Sequence, residues 1–304
     1  FVVFGSAIGV AVELTALEGA AAAADPAGFV INGVAADDQS GISVSGAGDV
    51  NGDGLDDLIV GAMGADPNGS LSGASYVVFG KADGAAVELS AVELNAGALP
   101  TGFIIKGIST DDFSGRSVSG AGDVNGDGLD DLIIGAMGTD GSRDVDGDGD
   151  DDLTSGSGSS FVVYGKTGGE AVELSLVASS VGGFVINGVD ADDQSGRSVS
   201  GAGDVNGDGF ADLIVGAPFD DPNGNSYSGA SFVVFGGNFT ESVTNVGTTA
   251  AEIITGTTGD DIIFAGGGTD TITGTAGNDR LSGGNGADTF VFSTDDGTSR
   301  ILDF

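Results

Sequence analysis

The 304-residue chain contains no cysteine, no histidine and no tryptophan, and these absences remove whole classes of function. Without cysteine there are neither disulfides nor thiolate metal sites to staple it. Without histidine there are no imidazole bases, no Ser-His-Asp triads and none of the usual catalytic zinc sites. Basic residues are also scarce: 8 Lys and Arg stand against 46 Asp and Glu, giving a net charge of −38. No basic stripe exists to meet phosphates, so nucleic acid is excluded as a partner. An anionic membrane surface is disfavoured for the same reason, and no membrane insertion is expected. Catalysis by carboxylates alone, as in glycosidases, stays formally open. The acids with a strong local pattern have another use, however, and the chain reads as not an enzyme.

That pattern is one stretch occurring three times: GAGDVNGDGLDDLIVGA at Gly46 to Ala62, GAGDVNGDGLDDLIIGA at Gly120 to Ala136 and GAGDVNGDGFADLIVGA at Gly201 to Ala217. Asp49, Asn51, Asp53 and Asp57 take positions 1, 3, 5 and 9 of a loop with Gly54 at position 6. Those are calcium-ligand positions, and Leu55 at position 7 offers its carbonyl. Without a cation, carboxylates a few ångströms apart would repel by roughly a few kcal/mol per pair. The equivalent sets are Asp123, Asn125, Asp127, Leu129 and Asp131, and Asp204, Asn206, Asp208, Phe210 and Asp212. An EF-hand would need a bidentate Glu at position 12 and a flanking helix; here Val60 stands there and a strand follows. The competing reading is a plain hairpin with an acidic turn, but three matches in register favour Ca2+.

The loops begin at Asp49, Asp123 and Asp204, 74 and then 81 residues apart, and their surroundings repeat with them. Each unit carries AVEL, then GFVING or GFIIKG, then the loop, DLIVGA or DLIIGA, and a closing SYVVFG, SFVVYG or SFVVFG. Short β-branched and aromatic runs bounded by Gly, Ser and Asp read as about four strands per unit. Repeated four-stranded sheets indicate a β-propeller. The Phe-Gly of SYVVFG, the DVNGDGxxDL core and the Gly216 to Pro218 Gly-Ala-Pro resemble the FG-GAP repeat of integrin α-chain propellers and many bacterial surface proteins. Gly61 and Gly135 open GAM instead, a mild departure. The resemblance implies a calcium loop joining two strands of each blade and stiffening it. It covers residues 1–236, with units at about 6–80, 81–165 and 166–236. The orphan FVVFG at Phe1 to Gly5 matches the last strand of a further blade. Propellers close with about four to eight blades, so a fragment of a longer protein is expected.

After a polar stretch read as a linker, 237–255, four nine-residue units follow: GTTGDDIIF, AGGGTDTIT, GTAGNDRLS and GGNGADTFV, from Gly256 to Val291. Each has Gly at position 4, Asp at position 6 and an apolar residue at position 8. Low-complexity linkers do not keep such phase. The units are similar to the RTX hemolysin-type nonapeptide, which implies a parallel β-roll over 256–292 with Asp261, Asp270, Asp279 and Asp288 as calcium ligands. With two units per turn, Asp261 would work with the Gly274 loop and Asp270 with the Gly283 loop, leaving Asp279 and Asp288 in half-built sites. The ending, 293–304, resembles the start of a type I secretion region.

Other charged positions carry weaker patterns. In the second unit, Asp144, Asp146, Asp148 and Asp152 repeat the 1, 3, 5, 9 spacing, equally suited to a fourth ion loop or a disordered acidic loop. The pairs Asp37-Asp38, Asp111-Asp112 and Asp192-Asp193 read as solvated turns, and Arg116 and Arg197 as structural ion-pair partners. The chain thus reads as all-β, a partial propeller followed by a short β-roll. Its expected function is a secreted calcium-binding adhesion module with an extracellular protein or glycan ligand. The alternatives are a non-catalytic stabilising, export or targeting region of a larger secreted hydrolase, or a self-assembling surface-layer component.

Overall fold

Valine, isoleucine and phenylalanine runs broken by Gly, Ser and Asp leave few choices but strands, and strands dominate the computed structural model. It describes residues 2–4, 14, 28–94, 100–139, 156–222, 227–237, 245–246, 251–258, 261–265, 267–277, 279–283, 285–292 and 299–301. The chain divides into two units, residues 1–237 and 238–304. Among the described residues no helix is long and apolar enough to cross a membrane.

The first unit is built of antiparallel blades. Blade one orders Ser43–Gly48, Asp57–Ala62, Ala74–Val78 and Gly102–Lys106. Blade two orders Ser117–Gly122, Asp131–Ala136, Ser159–Val163 and Gly183–Asn187. Blade three has Ser198–Gly203, Asp212–Ala217 and Ala230–Val234. At the other end Val2–Val3 pairs with Gly28–Phe29. The blades are therefore cut one strand later than the sequence units: each outer strand is the Gly-Phe segment that opens the next unit. Val2↔Phe29 and Val3↔Gly28 repeat the register of Val77↔Phe103 and Val78↔Gly102. Val2–Val3 is thus the third strand of a blade and not its last.

The second and third AVEL segments hook back. Val87–Glu88 pairs in parallel with Ile31–Asn32, and Val172–Glu173 with Ile105–Lys106. Each then turns into a short helix, Leu89–Glu93 or Leu174–Val177, whose leading leucine is buried. Lys106 closes the second hook with an ion pair to Glu173 at 2.9 Å.

Apolar side chains between blades form the core. Ile59, Val77 and Phe103 of blade one meet Val118, Leu132, Ile134 and Phe161 of blade two; Ile133 and Val162 meet Val199, Leu213 and Val215 of blade three. Each such buried side chain contributes about 1.5–3 kcal/mol. First strands of neighbouring blades lie side by side. A Cβ on Gly120 would come 2.7 Å from the Gly46 carbonyl oxygen, and one on Gly201 the same distance from that of Gly120, so only glycine allows this approach.

The second unit is a parallel roll. One ladder runs through Asn245–Val246, Ile262–Phe264, Arg280–Ser282 and Arg300–Ile301. The other runs through Ile253–Thr255, Thr271–Thr273 and Thr289–Val291. Ile263, Ala265, Ile272 and Leu281 fill the thin core, with Ile254 and Phe290 against them. The linker reading fails at Asn245–Val246 and Ile253–Thr255, which are roll strands, and the roll also takes in Arg300–Ile301. GTTAAEIIT, residues 247–255, stands in nonapeptide phase with Glu252 at position 6 and Ile254 at position 8, but without the position-4 glycine.

Candidate calcium sites

Each loop joins the first two strands of a blade, and its acids organise the turn. The Asp49 carboxylate accepts N–H bonds from Gly52 at 2.8 Å, Asp53 at 3.0 Å and Gly54 at 2.8 Å. Asn51 Oδ1 accepts the Asp53 N–H at 2.8 Å, and Asp53 Oδ1 accepts the Leu55 N–H at 2.9 Å. Asp123, Asn125 and Asp127 reproduce the network with Leu129. Asp204, Asn206 and Asp208 do so with Phe210. Gly54, Gly128 and Gly209 take φ of 86°, 91° and 94°, the left-handed turn that position 6 requires.

The ninth position is the chemically distinctive one. Asp57 begins the second strand, is fully buried, and accepts N–H bonds from Val50 at 3.0 Å and Gly80 at 2.7 Å. Asp131 receives Val124 and Gly165, both at 2.9 Å; Asp212 receives Val205 at 2.7 Å and Gly236 at 2.9 Å. Both are equally buried. Burial pushes the Asp57 carboxyl up to about 6, with Asp53 and Asp49 adding to the rise and the two N–H bonds opposing it. Burial pushes Asp131 to about 7, with Asp127 and Asp123 contributing and its N–H bonds from Gly165 and Val124 opposing.

Among the described residues no lysine or arginine pairs with any of the three. A buried carboxylate that faces only dipoles and other carboxylates suits a hard cation. Among the described residues, no three acidic side chains stand in a closed metal shell. The carboxylates at positions 1 and 5 are turned onto N–H groups of their own loop.

Neighbouring loops are joined. Asp130 Oδ2 accepts the Asp49 N–H at 2.8 Å, and the Asp130 N–H donates to the Asp49 carbonyl at 3.2 Å. Lys166 N–H donates to the Val50 carbonyl at 2.8 Å. Between the second and third loops the backbone bonds recur, Ala211 N–H to the Asp123 carbonyl and Gly237 N–H to that of Val124, but Ala211 has no carboxylate. Sequence reading missed Asp130 because position 8 is Asp56, Asp130 and Ala211 in turn, and the third copy's alanine takes it out of the repeated ligand pattern.

In the roll, Asp261, Asp270 and Asp279 are buried and Asp288 half-buried. Asp279 Oδ1 accepts the N–H of Asp261, and Asp288 Oδ1 that of Asp270, each at 3.0 Å and 18 residues away. Asp270 Oδ1 accepts the Glu252 N–H at 2.8 Å. Two nonapeptides per turn is therefore the observed geometry; Asp270, Asp279 and Asp288 each tie their coil to the one before, whereas Asp261 accepts from Thr257 of its own unit. Gly256 lies against both Asp261 and the Gly274 carbonyl, so these two loops are neighbours. Asp279 and Asp288, expected in half-built sites, are engaged in this ladder, and Asp279 also accepts from Ser299 Oγ at 3.2 Å. Asp270 Oδ2 is buried with no hydrogen-bond partner, a donor atom that a cation would satisfy.

The acidic pairs form turns, but their second members are not all solvated. Asp38, Asp112 and Asp193 accept the N–H three residues before them, and Asp112 and Asp193 are buried; the local hydrogen bond removes the need for water. Arg197 binds the Gln194 amide and lies 5.6 Å over the Phe219 ring. No ion pair of Arg116 or Arg197 occurs among the described residues; Gln194 and Phe219 are the partners of Arg197 there. Asp144, Asp146, Asp148 and Asp152 lie outside the described residues.

Blades carrying an acidic loop between their first two strands, with a parallel roll carrying buried aspartates, define a calcium-binding repeat protein. Residues 40–78, 114–143 and 195–234 match the FG-GAP repeat, and 246–279 and 264–298 match the RTX calcium-binding nonapeptide repeat. The chain carries both repeats, and neither is a catalytic domain. It is 33% identical over 123 residues to Integrin alpha-PS2 of Drosophila melanogaster; the match spans 40% of this chain and 8% of that relative.

Proposed function

We propose that the chain is a calcium-ordered binding module of an extracellular or cell-surface protein, exported by type I secretion, which presents blade loops to a protein or glycan. Asp49, Asn51, Asp53, Asp57 and the Leu55 carbonyl would hold one ion, and the sets ending in Asp131 and Asp212 two more. Asp261, Asp270, Asp279 and Asp288 would serve the roll. Bound calcium supplies positive charge where burial leaves carboxylates without a basic partner. The observation that carries this reading is the full burial of Asp57, Asp131 and Asp212 at one position of three blades. At free calcium about ten times a site's dissociation constant, each site adds on the order of 1.4 kcal/mol. The integrin-like match supports adhesion over export alone.

The test is labelled chain on arrays of extracellular proteins and glycans, in calcium and in chelator, with circular dichroism alongside. Calcium-dependent binding to some array member is expected. Binding unchanged by chelator, or none in calcium with the fold intact, contradicts the proposal.

A further inference from the structure

The two junctions between neighbouring acidic loops are built alike except at one side chain. At both, position 8 of the later loop donates its N–H to the carbonyl of position 1 in the earlier one, Asp130 to Asp49 at 3.2 Å and Ala211 to Asp123 at 3.1 Å. A second backbone bond recurs beside it, Lys166 N–H to the Val50 carbonyl at 2.8 Å and Gly237 N–H to that of Val124 at 2.9 Å. Position 7 covers the earlier loop in each case. A Cβ on Gly52 would come 3.1 Å from Leu129 Cδ2, and one on Gly126 would come 2.5 Å from Phe210 Cε1. The difference lies at position 8: Asp130 Oδ2 accepts the Asp49 N–H at 2.8 Å, whereas Ala211 offers the Asp123 N–H no carboxylate.

The backbone leaves room for this carboxylate at both junctions. Gly48 before Asp49 and Gly122 before Asp123 take φ of 73° and 72°. A Cβ on Gly48 would lie 2.0 Å from Asp130 Oδ2, so the missing side chain is the space the carboxylate fills. At the second junction a Cβ on Gly122 would meet the Ala211 Cβ at 2.8 Å, which places position 211 over the same spot. The bond also falls on a special residue. Asp49 is position 1, whose own carboxylate gathers the N–H groups of Gly52, Asp53 and Gly54. An acceptor on its N–H fixes the peptide that aims that carboxylate, as the outer partners of metal ligands do.

We propose that Asp130, although it belongs to the second loop, is a positioning residue for calcium in the first: it is not a ligand, but it holds Asp49 in the orientation that binding requires. The inference rests on the calcium reading of the blade loops. It assigns the first loop a support that the second lacks, and it makes the support transferable, because aspartate at position 211 would reach the Asp123 N–H in the same way. Outer partners of metal ligands typically change affinity by about 10–100-fold. Asp49 and Asp130 are half-buried, so water competes for the bond and the lower end, about tenfold, is the expected size.

The experiment is calcium titration calorimetry on the full chain, with circular dichroism to check the fold of each variant. A reference carrying Asp57→Asn, Asp131→Asn and Asp212→Asn gives the contribution of the roll. The first loop is read with Asp131→Asn and Asp212→Asn as background, and the second with Asp57→Asn and Asp212→Asn. Asp130→Ala is expected to weaken the first loop about tenfold. Asp130→Asn, whose amide oxygen can still accept the Asp49 N–H, is expected to retain most of the affinity. Ala211→Asp is expected to tighten the second loop, a gain that misfolding could not produce. Equal losses from the alanine and asparagine variants overturn the positioning role, as does a second loop unchanged by Ala211→Asp. Backgrounds that bind no more calcium than the reference would overturn the calcium reading of the loops and this inference with it, whereas loops that bind with an affinity indifferent to position 8 overturn this inference alone.

Discussion

Replacing Asp131 with asparagine should change stability in opposite directions with and without calcium. The carboxyl is fully buried and its pKa is raised from an ordinary 3.8 to about 7. Its folded pKa exceeds its unfolded one, so the native state binds the proton more tightly. The corresponding stability is complete below about pH 4 and is lost as pH rises through about 7. Roughly three pKa units correspond to about 4 kcal/mol. In chelator at pH 8, Asp131→Asn removes that cost but turns an amide N–H2 toward one of the Val124 and Gly165 N–H donors, which costs about 1–3 kcal/mol. The net expectation is a gain of about 1–3 kcal/mol, or several degrees in a unit of this size. In saturating calcium the same variant should be destabilised, because the negative charge at the site is gone. Thermal melts followed by far-UV circular dichroism at pH 5.5 and pH 8, in both buffers, read all four conditions. The wild type in chelator should melt lower at pH 8 than at pH 5.5, and the variant should show a shallower fall. Net charge contributes a slope common to both proteins, so the difference isolates Asp131. Equal destabilisation in calcium and chelator would refute the reasoning.

Asp130→Ala should cost about 1–2 kcal/mol by freeing the Asp49 N–H, seen as a lower melting temperature, whereas Asp56→Ala, at the same loop position of blade one, should cost less. Gly120→Val places a side chain against the Gly46 carbonyl 2.7 Å away and should cost at least about 1–3 kcal/mol, with hydrogen exchange rising in the first strands of blades one and two. Ile272→Ala should cost the roll about 2–5 kcal/mol, read as lost amide protection in residues 253–291.

The acidic loops and the nonapeptides were legible as turns because both are local: spacing along the chain sets which side chains share a turn and which N–H groups they accept. Blade boundaries were not, because a periodic sequence carries no mark of where a period begins. The pairing Tyr76↔Ile104 reaches across a segment boundary that looks, in sequence, like the natural cut. The Ile253–Thr255 coil was hidden by Ala250 and Glu252 standing where glycine and aspartate would, although Ile254 kept its phase. Burial of Asp112 and Asp193 came from neighbouring segments, while their own sequence encoded only the turn. For Arg197, charge suggested an acidic partner, and a nearby ring and amide proved closer.

The most direct measurement is a count of bound calcium by equilibrium dialysis, comparing the wild type with a variant carrying Asp57→Asn, Asp131→Asn and Asp212→Asn. The loops hold the ions if the variant, still folded by circular dichroism, binds three fewer than the wild type. An unchanged count would contradict the assignment of these buried aspartates as calcium ligands.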